Sequence, residues 1–214
     1  MCLPMPPSAI WVVKLGGALH RAAELPAWLA ACAGADHCAR RCVVVTGGGA
    51  LADEVRALQA RWHFDDQLAH ALALDTMRMN ARLLQGLAPD LMPCSALHAD
   101  QLPPRGACGG WLWSPPRPFA PRQLPASWSV TSDSIALWLA QALGAQAVLL
   151  VKSVVVECLP SARAVSLAAE GVVDAFFPQL LAQGEVSVRL LGKTAVDDFK
   201  RHLEAGTLPG IAVD

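Results

Sequence analysis

Lys14 stands at the end of an otherwise apolar run, Ile10 to Leu15, which Gly16 and Gly17 follow at once. A second run, Cys42 to Thr46, stops at Gly47-Gly48-Gly49, and a third, Val148 to Val151, ends on Lys152. Glycine lets backbone amides approach a phosphate closely, and lysine places a compact positive charge on a transferring phosphoryl group. Each feature also has a plainer reading: a tight turn after a strand, or a lysine that snorkels to solvent. Two glycine clusters and two lysines, all at strand ends, favour phosphate binding, because open parallel sheets bind ligands at the carboxyl ends of their strands. Asp133, near the start of a helical stretch, serves either as a cap or as a carboxylate that holds the two lysines in place and keeps them protonated.

Other motifs carry less. Gly47, Gly49 and Ala52 fit the dinucleotide pattern G-x-G-x-x-G/A, which suggests a nicotinamide-dependent oxidoreductase. That fingerprint wants an acidic residue at the end of the next strand, whereas Asp65 and Asp66 open a helical stretch. Gly192-Lys193-Thr194 imitates the end of a P-loop, but Ser187 stands where the motif needs glycine. Cys32, Cys38 and Cys42 with His37 show no C-x-x-C pair, so no metal site is assigned. His70, with His63 before it, lies on the helix after Asp66 and reads first as ordinary structure.

The elements that would position these residues alternate. Short apolar runs separate longer amphipathic ones, the pattern of a parallel sheet covered by helices. Helices are predicted from about Leu19 to Cys32, over Leu51, Val55, Leu58 and Trp62, and over Leu68, Leu72, Met79 and Leu83, with those residues as the apolar faces. Thr131 or Ser132 is predicted to cap a helix through Leu143. A helix over 172–182, a strand over 186–191 and a helix over 194–205 follow. Between them lies an excursion at about 103–127, rich in proline, glycine and tryptophan, with at most a short strand at 111–113. The prediction is a single α/β domain over residues 1–214.

Composition sets limits on function. The 214 residues are 54% hydrophobic and 16% charged, which excludes intrinsic disorder. A formal net charge of -1 gives no global electrostatic case for nucleic acid or an anionic membrane. Seven cysteines without paired spacing read as reduced thiols, and no run reads as a leader or membrane span, so a cytoplasmic location is expected. Seven tryptophans and the apolar content suggest a homo-oligomer.

Val12-Val13-Lys14-Leu15-Gly16-Gly17, Val45-Thr46-Gly47-Gly48-Gly49 and Thr131-Ser132-Asp133 together resemble the amino acid kinase superfamily, which includes acetylglutamate, aspartate and bacterial uridylate kinases. Residues 50–53, 65–70, 124–136 and 173–178 are similar to its small archaeal and methylotroph branch, which contains the (5-(aminomethyl)furan-3-yl)methyl phosphate kinase of methanofuran biosynthesis. The resemblance implies a three-layer αβα sandwich with a mainly parallel sheet, ATP with Mg2+, a small-molecule phosphate acceptor and a setting in methylotrophic one-carbon metabolism. It implies Lys14, Asp133 and Lys152 as catalytic, and Gly16, Gly17, Thr131 and Ser132 on the phosphate or nucleotide side. Gly47, Gly48 and Gly49 would line the acceptor side. Asp65, Asp66 or Asp75 would meet an acceptor amine, with His70 nearby. After Lys152 the family shows an acidic residue and a glycine in a turn that serves the nucleotide; here the chain reads Ser153-Val154-Val155-Val156-Glu157. That departure motivates a rival reading, a non-catalytic ligand-binding or assembly subunit.

Overall fold

The computed structural model describes residues 9–34, 41–102 and 110–214. Four strands form from the apolar runs: β1 (Ile10–Leu15), β2 (Arg41–Thr46), β5 (Ala147–Lys152) and β6 (Ser187–Gly192). Three shorter strands, β3 (Met92–Cys94), β4 (Gly110–Trp113) and β7 (Ile211–Val213), complete a seven-stranded sheet in the order β3-β4-β2-β1-β5-β6-β7. All pairings are parallel except β6 with β7. The helices are α1 (Leu25–Ala33), α2 (Gly49–Trp62), α3 (Asp66–Leu87), α4 (Ser132–Ala142), α5 (Ala164–Ala169), α6 (Phe177–Leu181) and α7 (Val196–Ala205).

Alternation along the strands divides the core into two layers. Ile10 and Val12 of β1 and Val148 and Leu150 of β5 pack under α4, α5 and α6. Trp11, Val13, Ala147 and Leu149 pack on the other face against α1 and α7. Trp11 and Trp28 close on Phe199 at centroid distances of 6.2 and 5.2 Å. The period of two carries Lys14 and Lys152 onto the α4 side, where Asp133 sits. This is how the sheet aims both lysines at one carboxylate.

Several expectations change. The excursion supplies β4 between β2 and β3, so it extends the sheet; residues 103–109 lie outside the described residues. The predicted helix over 172–182 is shorter and is preceded by α5, because Asp174 takes backbone hydrogen bonds that a helix through it would displace. The stretch from Leu19 divides into a 3-10 turn, Gly17–Arg21, and α1. No residue of α2 is buried, and Trp62, Met79 and Leu83 are 67%, 58% and 55% exposed. The apolar stripes expected to face the core therefore face outward. The inward side of α3 carries Leu74, Thr76, Met77, Asn80, Ala81 and Leu84. Trp11, Trp28, Trp111 and Trp113 are buried, so tryptophan content by itself is no argument for an oligomer.

Candidate phosphate-transfer site

Lys14 and Lys152 meet at Asp133, in the first turn of α4. Lys14 Nζ lies 2.8 Å from Asp133 Oδ1, and Lys152 Nζ donates to both carboxylate oxygens at 2.8 Å. All three side chains are nearly withdrawn from solvent. Burial pushes the Asp133 carboxyl up, but the charges and hydrogen bonds of both lysines more than offset this and hold it at about 2. Burial, then the Lys14 charge, lowers the Lys152 ammonium to about 8, with Asp133 opposing both. Two ammoniums against one carboxylate leave this triad positive, and an anion would complete it.

The glycines form the adjoining wall. Gly16 N–H donates to Val151 O at 3.1 Å, which ties the first turn to β5. A Cβ on Gly17 would lie 2.4 Å from Gly49 Cα, so the two glycine turns touch backbone to backbone. Gly49 has φ +54°, in the left-handed region that glycine enters freely. Asn80, buried on α3, donates through Nδ2 to Gly47 O at 2.8 Å and Gly48 O at 2.9 Å. Those carbonyls are thereby turned into the protein. His20 packs beside the same turn, with Nε2 2.6 Å from Thr46 Oγ1; burial and then Lys14 lower its pKa, so the ring is neutral at pH 7.

Two cavities adjoin Gly17 and Ala18. One, of about 220 Å³, is lined by Lys14, Gly16, Lys152, Ser153, Val154, Gly171 and Val172. The other, of about 270 Å³, is lined by Gly47, Gly48 and Gly49 with Asp53, Arg56, His70, Trp128, Thr131 and Ser132 and an apolar floor of Leu74, Met77, Val130 and Ile135. One cavity presents lysines and the other a mixed polar and apolar lining, with the glycine turn between them.

The structure joins most of the expected residues. Lys14, Lys152, Asp133, Gly16 and Gly17 converge, and Gly47, Gly48, Gly49 and His70 line the second cavity; burial lowers the His70 pKa. Thr131 and Ser132, expected on the phosphate or nucleotide side, line that second cavity at the start of α4. Asp65 and Asp66 line neither cavity. Asp65 caps α3 by accepting from Leu68 N–H at 2.8 Å, and Asp66 accepts from Gln59 at 2.9 Å. Asp75 is paired with Arg78 and Arg117. Asp53, Arg56, Trp128, Asn80 and Asp174 were not singled out by sequence reasoning. Asp53, Trp128 and Asp174 stood within the segments that carry the resemblance; nothing marked Arg56 or Asn80.

The competing motifs resolve structurally. β3, the strand after α2, ends on Cys94 and offers no acidic residue to a dinucleotide ribose. Lys193 pairs with Glu24 at 3.3 Å, and its carbonyl accepts from Trp28 Nε1 at 2.6 Å. Among the described residues no three His, Cys, Asp or Glu side chains gather to hold a metal; His37 and Cys38 lie outside them.

A glycine cradle beside a buried, net-positive lysine–aspartate–lysine triad has the chemistry to accept an anion such as a phosphate. The fold has solved counterparts. The uridylate kinase of Archaeoglobus fulgidus superposes with a TM-score of 0.69 over 95% of this chain and 99% of its own, at 16% identity. The UMP kinase of Bacillus anthracis gives 0.64 over 97% and 96%, at 13% identity. The aspartate kinase of Synechocystis gives 0.64 over 86% of this chain and 38% of its own, at 18% identity. The chain thus has the α/β fold of these amino acid kinase superfamily members. No family of known sequences and no curated protein matches it.

Proposed function

We propose that this protein is an ATP-dependent kinase that transfers the γ-phosphoryl group to a small phosphate-bearing acceptor. The observation that carries the reading is the buried Lys14–Asp133–Lys152 triad at the end of the glycine cradle. An oxygen of the acceptor phosphate attacks the γ-phosphorus of ATP, the bond from that phosphorus to the β-bridging oxygen breaks, and ADP and a diphosphate result. A phosphate monoester is already largely dianionic at neutral pH, so no protein base is needed. Catalysis then consists of positioning and charge neutralisation, which glycine amides and two lysines supply. Magnesium would arrive as part of the nucleotide complex, since both oxygens of Asp133 are engaged by lysines.

The acceptor cavity, at about 270 Å³, falls just below the roughly 300–1,000 Å³ of sites for drug-sized ligands. That size suits one small ring with short substituents, such as an aminomethylfuran methyl phosphate. Asp53 supplies a carboxylate for an amine, Arg56 a guanidinium for a phosphate, and Trp128 an aromatic wall; Arg56 lies 4.4 Å from its ring centroid. We assign the amine contact to Asp53 because Asp65, Asp66 and Asp75 are occupied elsewhere. The outward stripes of α2 and α3 support a homo-oligomer: α3, with 22 residues, is roughly 33 Å long, the scale of a face of about 800 Å².

One observation favours a second reading. Ser153, Val154 and Val155 form an exposed, glycine-free turn beside the lysine cavity, which suits a ligand-binding subunit that no longer uses nucleotide. Thermal unfolding with magnesium-ATP, and with magnesium-GTP and NAD as controls, separates the readings. Ligand at about 100 times its Kd adds roughly 2.7 kcal/mol, or about 5–11 °C for a domain of this size. A rise with ATP supports the kinase. No rise at millimolar ATP sinks it, and a rise with NAD alone points to an oxidoreductase.

A further inference from the structure

Asp174, in the turn between α5 and α6, lines neither of the two cavities yet gathers five hydrogen bonds while 8% exposed. Its Oδ2 accepts from the Thr131 N–H at 2.8 Å, the Thr131 hydroxyl at 2.9 Å and the Ser134 N–H at 2.9 Å. Its Oδ1 accepts from the Ser134 hydroxyl at 2.5 Å and the Phe177 N–H at 3.0 Å. The four donors on Thr131 and Ser134 flank Asp133 on both sides. Thr131, the cap position of α4, makes no capping bond through its own side chain. Two of the orphan amides at this helix start, those of Thr131 and Ser134, are satisfied instead from 43 and 40 positions away.

This has a consequence for Asp133. An aspartate in the first turn of a helix ordinarily folds back on nearby amides. Here the Thr131 and Ser134 amides are held by Asp174, and the Asp133 carboxylate turns to the lysines. Resting on the phosphate-transfer reading of the site, we infer that Asp174 is the positioning residue that fixes the first turn of α4, so that Asp133 aligns Lys14 and Lys152. The same turn of chain brings Gly171 and Val172 to the wall of the lysine cavity. It therefore links that wall to the carboxylate inside.

The test is Asp174→Asn, which keeps the shape but puts an amide N–H2 where only acceptors fit, compared with Phe199→Leu. Phe199 is buried on the opposite face of the sheet against Trp11 and Trp28, so its truncation loosens the fold without reaching α4. The expected result is a fall in kcat of about 10- to 100-fold in Asp174→Asn, from displacement of the triad by up to about 1 Å, with KM for magnesium-ATP and acceptor within a few-fold. Phe199→Leu should match its loss of Tm and keep kcat. Equal kcat losses at equal Tm loss would overturn the inference. If Asp174→Asn does not fold, the double variant Thr131→Val with Ser134→Ala removes two of the five donors, keeps the carboxylate charge and should show the same kcat loss. If the wild-type protein transfers no phosphoryl group, the kinase reading fails separately, and NMR titration of the Lys152 ammonium in that double variant decides the positioning role. Lys152 is faced by Lys14 from β1 and Asp133 from α4, so a shifted titration supports the inference and an unchanged one overturns it.

Discussion

Gly17→Ala tests the cradle where its geometry is tightest. The new Cβ would lie 2.4 Å from Gly49 Cα and 2.6 Å from Gly49 N, both backbone atoms, whereas ordinary Cβ contacts begin at 3.4 Å. The two turns must therefore part by about 1 Å. Overpacking of this kind costs about 1–3 kcal/mol, or roughly 2–12 °C in Tm for a domain of this size. The effect on turnover should be larger, because a displacement of about 1 Å between reacting groups costs on the order of 100-fold. Gly86→Ala is the internal control: nothing lies within 4 Å of its Cβ, and in a helix alanine gains up to about 1 kcal/mol over glycine. The assay is ADP release at saturating magnesium-ATP and acceptor, with Tm measured in parallel. A folded Gly17→Ala protein that keeps kcat within a few-fold of wild type would mean that the close approach of the two turns has no bearing on chemistry.

The triad predicts opposite responses of activity and stability to pH. The Lys152 ammonium sits at about 8 against an ordinary 10.5, so kcat/KM should fall as pH rises through about 8. Between 8 and 10.5 the unfolded chain binds more protons at this group, so its contribution to stability rises with pH; urea unfolding across that range checks the sign. Asp133 is held at about 2 against 3.8, and its contribution is present above about 4 and is lost as pH falls toward 2. Asp133→Asn leaves two buried ammoniums on a neutral amide and should cost about 3–5 kcal/mol at neutral pH, a loss of roughly 6–20 °C read by calorimetry. Asp53→Asn should raise KM for an amine-bearing acceptor by at least about tenfold and leave KM for its des-amino analogue unchanged, which steady-state kinetics distinguishes. Trp62→Glu with Leu83→Glu should shift the protein to monomer in analytical ultracentrifugation; an unchanged mass would remove the α2–α3 face as the site of self-association.

What could be read in the sequence followed physical rules that act locally. Inner parallel strands are apolar on both faces, so β1, β2, β5 and β6 stood out as runs. β3 and β7 have three residues each, and β3 contains Pro93, so neither carries a periodic signal. The stripes on α2 and α3 were visible, but a stripe records that a face is apolar and not what covers it. Lys14, Lys152 and the glycines were legible because charge and glycine are conspicuous at the ends of apolar strands. Asp174 and Asn80 were not, because their meaning lies in partners 32 to 43 positions away.

The proposed function rests on phosphoryl transfer from ATP at Lys14, Asp133 and Lys152. The most direct measurement is ³¹P NMR of the protein with magnesium-ATP and aminomethylfuran methyl phosphate, run beside Lys14→Ala. Paired diphosphate resonances of the new product should grow in step with ADP in the wild type and be absent from Lys14→Ala. ATP left intact by the wild-type protein, or consumed equally by the variant, would contradict the proposed function.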